Sequence, residues 1–233
     1  MNKNKGICYG VSVGPSDPEL MTLKAAKIIS EADVIFLPSA PKENCKVYKI
    51  IKGSELNIEE EKFVCIETAS MADPKVQSDR YDKLAGEVAK LLDEGKSVAF
   101  PALGEVCLYS TYFYVHERLV SEGYECKLIS GISSVQEAAD RLLMSLAQGD
   151  EELHIFPDTE NIDEKLKIPY TKVFMKPKSD IKDIAYKIKE FTITHPGTKA
   201  YGISNIGAEN EIIAHSIEEL SNLQGYMTVI IVK

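Results

Sequence analysis

The stretch GVSVGPSDPELMTLKAA, Gly10 to Ala26, joins an apolar run, Ile7–Val13, to a segment of helix-forming composition. A strand, a glycine turn and a helix begin an α/β unit, and such a turn often cradles a phosphate. The residues here argue otherwise. Pro15 and Pro18 have no backbone N–H to offer. Gly10 and Gly14 are separated by three residues with no third glycine following, so the dinucleotide fingerprint is not met. Asp17 adds a carboxylate at the helix N-terminus, which repels a second anion. The loop therefore reads as a rigid turn for something other than a phosphate. Asp17 either caps the helix, with Pro18 in its first turn, or faces a bound molecule.

Outward from this loop, strand-like and helix-like segments alternate. Val34–Leu37, Lys62–Ile66, Ser97–Phe100 and Lys127–Ile129 are short apolar strands. Leu20, Leu23 and Ile28 give the first helix its stripe, Tyr81, Leu84, Val88 and Leu91 give another that Gly95 ends, and an aromatic-rich helix spans about Ser110 to Ser121. Ser134-Val-Gln-Glu137 reads as a capping box that opens a helix through Leu143. Further on, Leu153–Phe156, Thr171–Met175, Lys199–Ile203, Glu211–Ala214 and Met227–Val232 are strand candidates around a helix at Asp180–Phe191. The alternation predicts α/β architecture in two lobes, residues 1–123 and 124–233, with the boundary near Gly123. The close-set strands of the second lobe predict a mixed sheet, and two lobes predict a ligand cleft between them.

The composition excludes several classes. The 233 residues carry a formal charge of −9 and no dense Lys/Arg block, against a nucleic-acid-binding role. No apolar stretch reaches the roughly 20 residues that a membrane span needs. The basic start Met1-Asn2-Lys3-Asn4-Lys5 precedes only a short apolar run, which reads as a mature cytoplasmic start and not a signal peptide. The five cysteines are scattered without a Cys-x-x-Cys pair, and the four histidines share no spacing, so no metal site is expected in the protein.

Two further loops share the character of the first. Pro101–Thr111, PALGEVCLYST, leaves a strand, turns at Gly104 and enters a helix; Ile129–Ala139, ISGISSVQEAA, does the same through Gly131. Both follow carboxyl ends of strands, where open α/β sheets place ligands. They offer amides, hydroxyls and one acid, Glu105, which suits a neutral or zwitterionic organic cofactor better than a triphosphate.

Taken in order, the loops resemble the tetrapyrrole methylase family over essentially the whole chain. Gly10–Ala25 is similar to the family's Gly-x-Gly-Pro-Gly-Asp-Pro-x-Leu-Leu-Thr-x-Lys-Ala opening, Leu103–Thr111 to Leu-Gly-Asp-Pro-x-x-Tyr-Ser-Thr, and Ser130–Ser134 to Pro-Gly-Ile-Ser-Ser; Leu146–Glu151 and Val173–Lys176 also fit. The chain departs from the pattern at three places. Ser16 replaces a glycine, where a positive φ would strain a serine. Glu105-Val106 replaces Asp-Pro, lengthening the acid and freeing an N–H in a less stiff loop, and Ser130 replaces proline.

The resemblance implies two α/β lobes with mixed sheets and a cofactor cleft between them, S-adenosylmethionine as cosubstrate, a tetrapyrrole substrate and a homodimer. Its Tyr-Ser-Thr form is nearest the branch that methylates the C20 meso carbon of precorrin-2 or cobalt-factor II; a uroporphyrinogen III, C11 or C17 type, or a non-catalytic tetrapyrrole binder, are the alternatives. Any cobalt would arrive inside the substrate. By motif position, the resemblance puts Pro15, Gly104 and Glu105 against the cofactor. Ser110, Thr111, Ser133 and Ser134 either bond it or cap helices. Met175 and Lys176 are the opposing wall, with Tyr201 and Gly202 at a similar strand end. Asp17 is the expected catalytic group, orienting a pyrrole N–H or taking the released proton. Arg80, Arg118 and Arg141 either meet substrate carboxylates or serve solvated helix faces, and Lys24 is the family-matching cation near the first loop.

Overall fold

The computed structural model describes residues 5–38, 41–66 and 74–233, the side chain of Pro74 excepted. The chain forms two compact units, Met1–Ser133 and Ser134–Lys233.

The first unit is a five-stranded sheet. Its strands are β1 (Cys8–Ser12), β2 (Val34–Leu37), β3 (Phe63–Cys65), β4 (Val98–Ala102) and β5 (Cys126–Ile129), in the order β3-β2-β4-β1-β5. Every pairing is parallel, because each connection carries a helix back across the sheet: α1 (Leu23–Glu31), α2 (Lys46–Gly53), α3 (Pro74–Asp93) and α4 (Tyr112–Ser121). The mixed pairing expected for the fold is thus confined to the second unit.

The period of two in β2 divides the core. Ile35 and Leu37 pack with Ala25, Ile29, Ile50 and Ile51 of α1 and α2, while Phe36 packs on the other face with Val88 of α3 and Val115 and Leu119 of α4. Each of these Ile, Leu, Val and Phe side chains, taken out of water, contributes about 1.5–3 kcal/mol. A one-residue register slip in β2 would exchange the two sets.

The division between the units falls at Ser133, later than the expected Gly123. The reason is β5: Cys126 to Ile129 pair with Cys8 to Val11, so this strand completes the first sheet.

The helix after the opening loop also begins differently. Asp17 caps only a 3-10 turn, Pro18–Leu20, through a bond from the Glu19 N–H at 2.8 Å. Thr22 caps α1 itself, its Oγ1 accepting from the Ala25 N–H at 3.2 Å.

The second unit holds α5 (Ser134–Arg141), β6 (Leu153–Phe156), α6 (Ile162–Leu166), β7 (Thr171–Met175), α7 (Ile181–Thr194), β8 (Ala200–Ser204), β9 (Ile212–Ala214) and β10 (Thr228–Val232). The sheet order is β6-β7-β10-β8-β9, with β6 and β7 parallel and the other pairs antiparallel. Phe174, Ile184, Ile188 and Ile230 centre the core under α6 and α7. Since β10 runs against both β7 and β8, its first residues lie beside their ends: Val229 pairs with Met175, and Thr228 with Ser204.

Candidate functional site

The loops after β1, β4 and β5 converge in the first unit. β1 and β4 lie side by side, but the chain leaves β1 for β2, beyond β4, and leaves β4 for β5, beyond β1. Ligands bind at such a switch of strand order, outside the carboxyl ends. The first two loops are joined there. The Val13 N–H donates to the Ala102 carbonyl at 3.0 Å, and the Gly104 N–H to the Gly14 carbonyl at 2.8 Å. Gly14 and Gly104 form an antiparallel bridge with φ of 79° and 77°, a conformation that costs a side-chain-bearing residue about 1–2 kcal/mol.

Pro15, next to this bridge in sequence, is buried. Ser16 is not among the residues with positive φ, so serine sits there without backbone strain. Asp17 is exposed, with Oδ1 on the Glu19 N–H.

The second loop turns its acid inward. Glu105 Oε2 accepts from the Ser12 hydroxyl at 3.3 Å and from the Gly131 N–H, and Oε1 accepts from the Cys107 N–H at 3.1 Å. These bonds tie the acid to its own protein, whereas the sequence placed it against the cofactor. Burial and the Glu105 carboxylate push the nearby Cys107 thiol pKa up. The N–H freed at Val106 donates to Ser12 Oγ at 2.8 Å, and Val106 is fully buried, so replacing proline ties this loop down where the sequence reading expected it to slacken.

The Ser110 hydroxyl accepts from the Tyr112 N–H at 3.3 Å, which is a capping role at the start of α4. Thr111 is exposed and makes no side-chain cap bond. In the third loop, Thr22 Oγ1 donates to the Ser130 carbonyl at 3.5 Å. Ser133 is buried, and Ser134 begins α5.

In the second unit, Met175 ends β7 and is buried. Lys176 follows with φ of 49°, its N–H donating to the Thr228 carbonyl at 3.0 Å; burial lowers the pKa of its ammonium. Tyr201 and Gly202 are not at a strand end. Tyr201 is the second residue of β8, and a Cβ on Gly202 would lie 2.5 Å from Leu223 Cδ1, so that glycine serves packing. The true end of β8 is Ser204–Asn205. Asn205 has φ of 54° and donates to the Met227 carbonyl at 2.8 Å, repeating the turn at Lys176. An asparagine directly after an apolar strand is the signal that sequence reading passed over. Beside this edge lies a cavity of about 660 Å³ lined by Pro177, Lys178, Ile181, Leu223, Gln224 and Tyr226.

The arginines are largely engaged with the protein. Arg118 of α4 meets Asp82 and Ser78 of α3 and the Tyr114 carbonyl; Arg141 lies 3.4 Å from Glu137 and 3.9 Å from Glu211; Arg80 is exposed. Among the described residues no cluster of three or more His, Cys, Asp or Glu is placed to hold a metal, and no helix is long and apolar enough to cross a membrane.

Residues 13–22, 103–111 and 130–133 contain no lysine or arginine. These loops therefore offer a phosphate no cation of their own. A sulfonium-bearing nucleoside, cationic at sulfur and carrying ribose hydroxyls and amino groups, is compatible with the backbone amides, carbonyls and hydroxyls that these loops offer.

The family profile "Tetrapyrrole (Corrin/Porphyrin) Methylases" matches residues 8–221. The chain belongs to this family. The methylase is 36% identical, over 182 residues covering 77% of it and 76% of the relative, to a protein of Methanocaldococcus jannaschii named a probable cobalt-precorrin-2 C(20)-methyltransferase. Another relative from that organism, named a probable cobalt-precorrin-7 C(5)-methyltransferase, is 27% identical over 95% of both chains. Among solved structures, a cobalt precorrin-4 methyltransferase superposes on 97% of the methylase and 94% of its own chain, with a TM-score of 0.73 at 19% identity. A uroporphyrin-III-C-methyltransferase from Thermus thermophilus covers 97% and 91% with a TM-score of 0.67 at 18% identity. These two share the methylase's fold.

Proposed function

We propose that the methylase transfers the methyl group of S-adenosylmethionine to the C20 meso carbon of precorrin-2 or cobalt-factor II, a step of cobalamin synthesis. The observation that carries the reading is the cation-free set of loops at the switch of strand order in the first unit. The Leu103–Thr111 loop and the 36% relative support C20 as the position.

S-adenosylmethionine supplies an electrophilic methyl on sulfur. The protein's part is positioning and exclusion of water, which account for most of what such a transfer needs. Pro15, Gly104 and the loop amides shape the cofactor side. Thr111 offers an exposed hydroxyl to the methionine carboxylate. Asp17, exposed on the first loop, orients a pyrrole N–H or takes the proton that the ring carbon loses. The homodimer implied by the family is part of this reading, and sedimentation velocity checks it.

The test is incubation with methyl-labelled S-adenosylmethionine and either precorrin-2 or its cobalt complex, followed by mapping of the labelled carbon. Label at C20 supports the reading, and the preferred substrate reports the metal state. Label at another ring carbon, or none on either substrate, favours a different tetrapyrrole C-methyltransferase, for which the relative named a probable cobalt-precorrin-7 C(5)-methyltransferase, matched over 95% of both chains, is the specific support.

A further inference from the structure

The proposed function leaves Ser12 without a role, yet this residue is fully buried and stands where the three loops meet. It ends β1, and its hydroxyl is used in both directions: Oγ accepts from the Val106 N–H at 2.8 Å and donates to Glu105 Oε2 at 3.3 Å. The same carboxylate accepts from the Gly131 N–H of the third loop and from Cys107 of its own loop. A Cβ on Gly131 would lie 2.5 Å from Ser12 Cβ, so only glycine lets the third loop come close enough to deliver its amide.

We infer that Ser12 and Glu105 are positioning residues: a buried hydroxyl–carboxylate clasp sets the spacing of the cofactor loops, and it requires a residue other than proline at Val106. The inference rests on the loops being the cofactor site. Three donors occupy the Glu105 carboxylate, which removes it from direct ligation of a bound molecule. A proline at 106 would leave the serine hydroxyl without its donor, and a buried acceptor so stranded is costly. An aspartate at 105 is one methylene shorter and cannot hold the Ser12 and Gly131 bonds together in the same backbone geometry. The two departures from the family pattern, Glu for Asp and Val for Pro, therefore work as one unit with Ser12.

The test combines amide hydrogen exchange with calorimetry on the full chain. In the native protein the Val106 and Gly131 amides exchange slowly. Ser12→Ala speeds both and weakens S-adenosylmethionine binding about ten-fold, the effect of one lost hydrogen bond to a charged group. Glu105→Gln, which sets an NH₂ or a lone acceptor against three donors, speeds exchange at Gly131 with a similar loss of affinity. Val106→Pro in the Ser12→Ala background, while the chain stays folded, weakens S-adenosylmethionine binding little further, because both changes remove the same bond. In turnover, KM for the cofactor rises while kcat at saturating cofactor is retained. Fast exchange at these amides in the native protein, or native affinity in both folded single variants, overturns the clasp. A native protein that fails to bind S-adenosylmethionine overturns the proposed function instead; protected amides that Ser12→Ala exposes still uphold the clasp.

Discussion

Gly14 and Gly104 face each other across an antiparallel bridge, although the strands that lead to them run parallel. Positive φ at both residues reverses the chain, and this seats the first loop on the second. The arrangement predicts that Gly14→Ala destabilises the fold by about 1–2 kcal/mol and also weakens binding of S-adenosylmethionine, because the bridge joins two of the loops proposed to hold it. Urea unfolding and calorimetry on the same variant check the pairing of effects.

Asp17 and Thr22 separate a charge role from a capping role. Thr22→Ala removes the cap of α1 and lowers stability by about 1 kcal/mol, as thermal unfolding would show. Asp17→Asn keeps an acceptor for the Glu19 N–H, so the fold and cofactor affinity are retained while turnover slows. Unchanged turnover in Asp17→Asn removes Asp17 from the chemistry.

Gly202 tests whether a strand glycine serves packing or ligand. A methyl group there would press on Leu223 Cδ1 and lie 3.3 Å from the Val229 carbonyl oxygen. Gly202→Ala therefore lowers stability by about 1–3 kcal/mol, Leu223→Ala in the same chain recovers part of the loss, and S-adenosylmethionine affinity measured by calorimetry does not move in the folded protein.

The acid limb of stability has a local signature at Glu60. Hydrogen bonds from Lys42 and Lys52 hold its pKa at about 2. A carboxylate whose pKa is lower in the folded than in the unfolded chain adds stability above its unfolded pKa, and the gain fades as pH falls toward the folded value. The excess of native protein over Glu60→Gln is thus full above about pH 4.5 and lost by about pH 2. Because the group is exposed, the excess is small and shrinks further in salt. Urea midpoints of both proteins across this range check it.

Much of the fold could be read from periodicity. All ten strands among the described residues were indicated, because runs such as Val34–Leu37 and Thr171–Met175 are apolar and bounded by turn residues. The short helices α2 and α6 were not: Lys46–Gly53 and Ile162–Leu166 are too brief for a periodic stripe to stand out. Strand partnership was not legible either. Nothing in Cys126–Ile129 announces that it pairs with β1, and so the boundary near Gly123 was placed too early. At the site, the loop positions followed from glycines after strands. Where the acid points did not, since Glu105 looks like a ligand group until Ser12 and Gly131, 93 and 26 residues away in sequence, are seen to hold it. Tyr201 and Gly202 were placed at a strand end but lie three and two residues before the end of β8.

The central claim is that loops lacking any cation hold a sulfonium nucleoside. Calorimetric titration of the native protein with S-adenosylmethionine, and in parallel with ATP, tests it most directly. The account predicts saturable binding of S-adenosylmethionine, blocked by S-adenosylhomocysteine, and no binding of ATP. Absence of binding by S-adenosylmethionine, or its displacement by ATP, would contradict it.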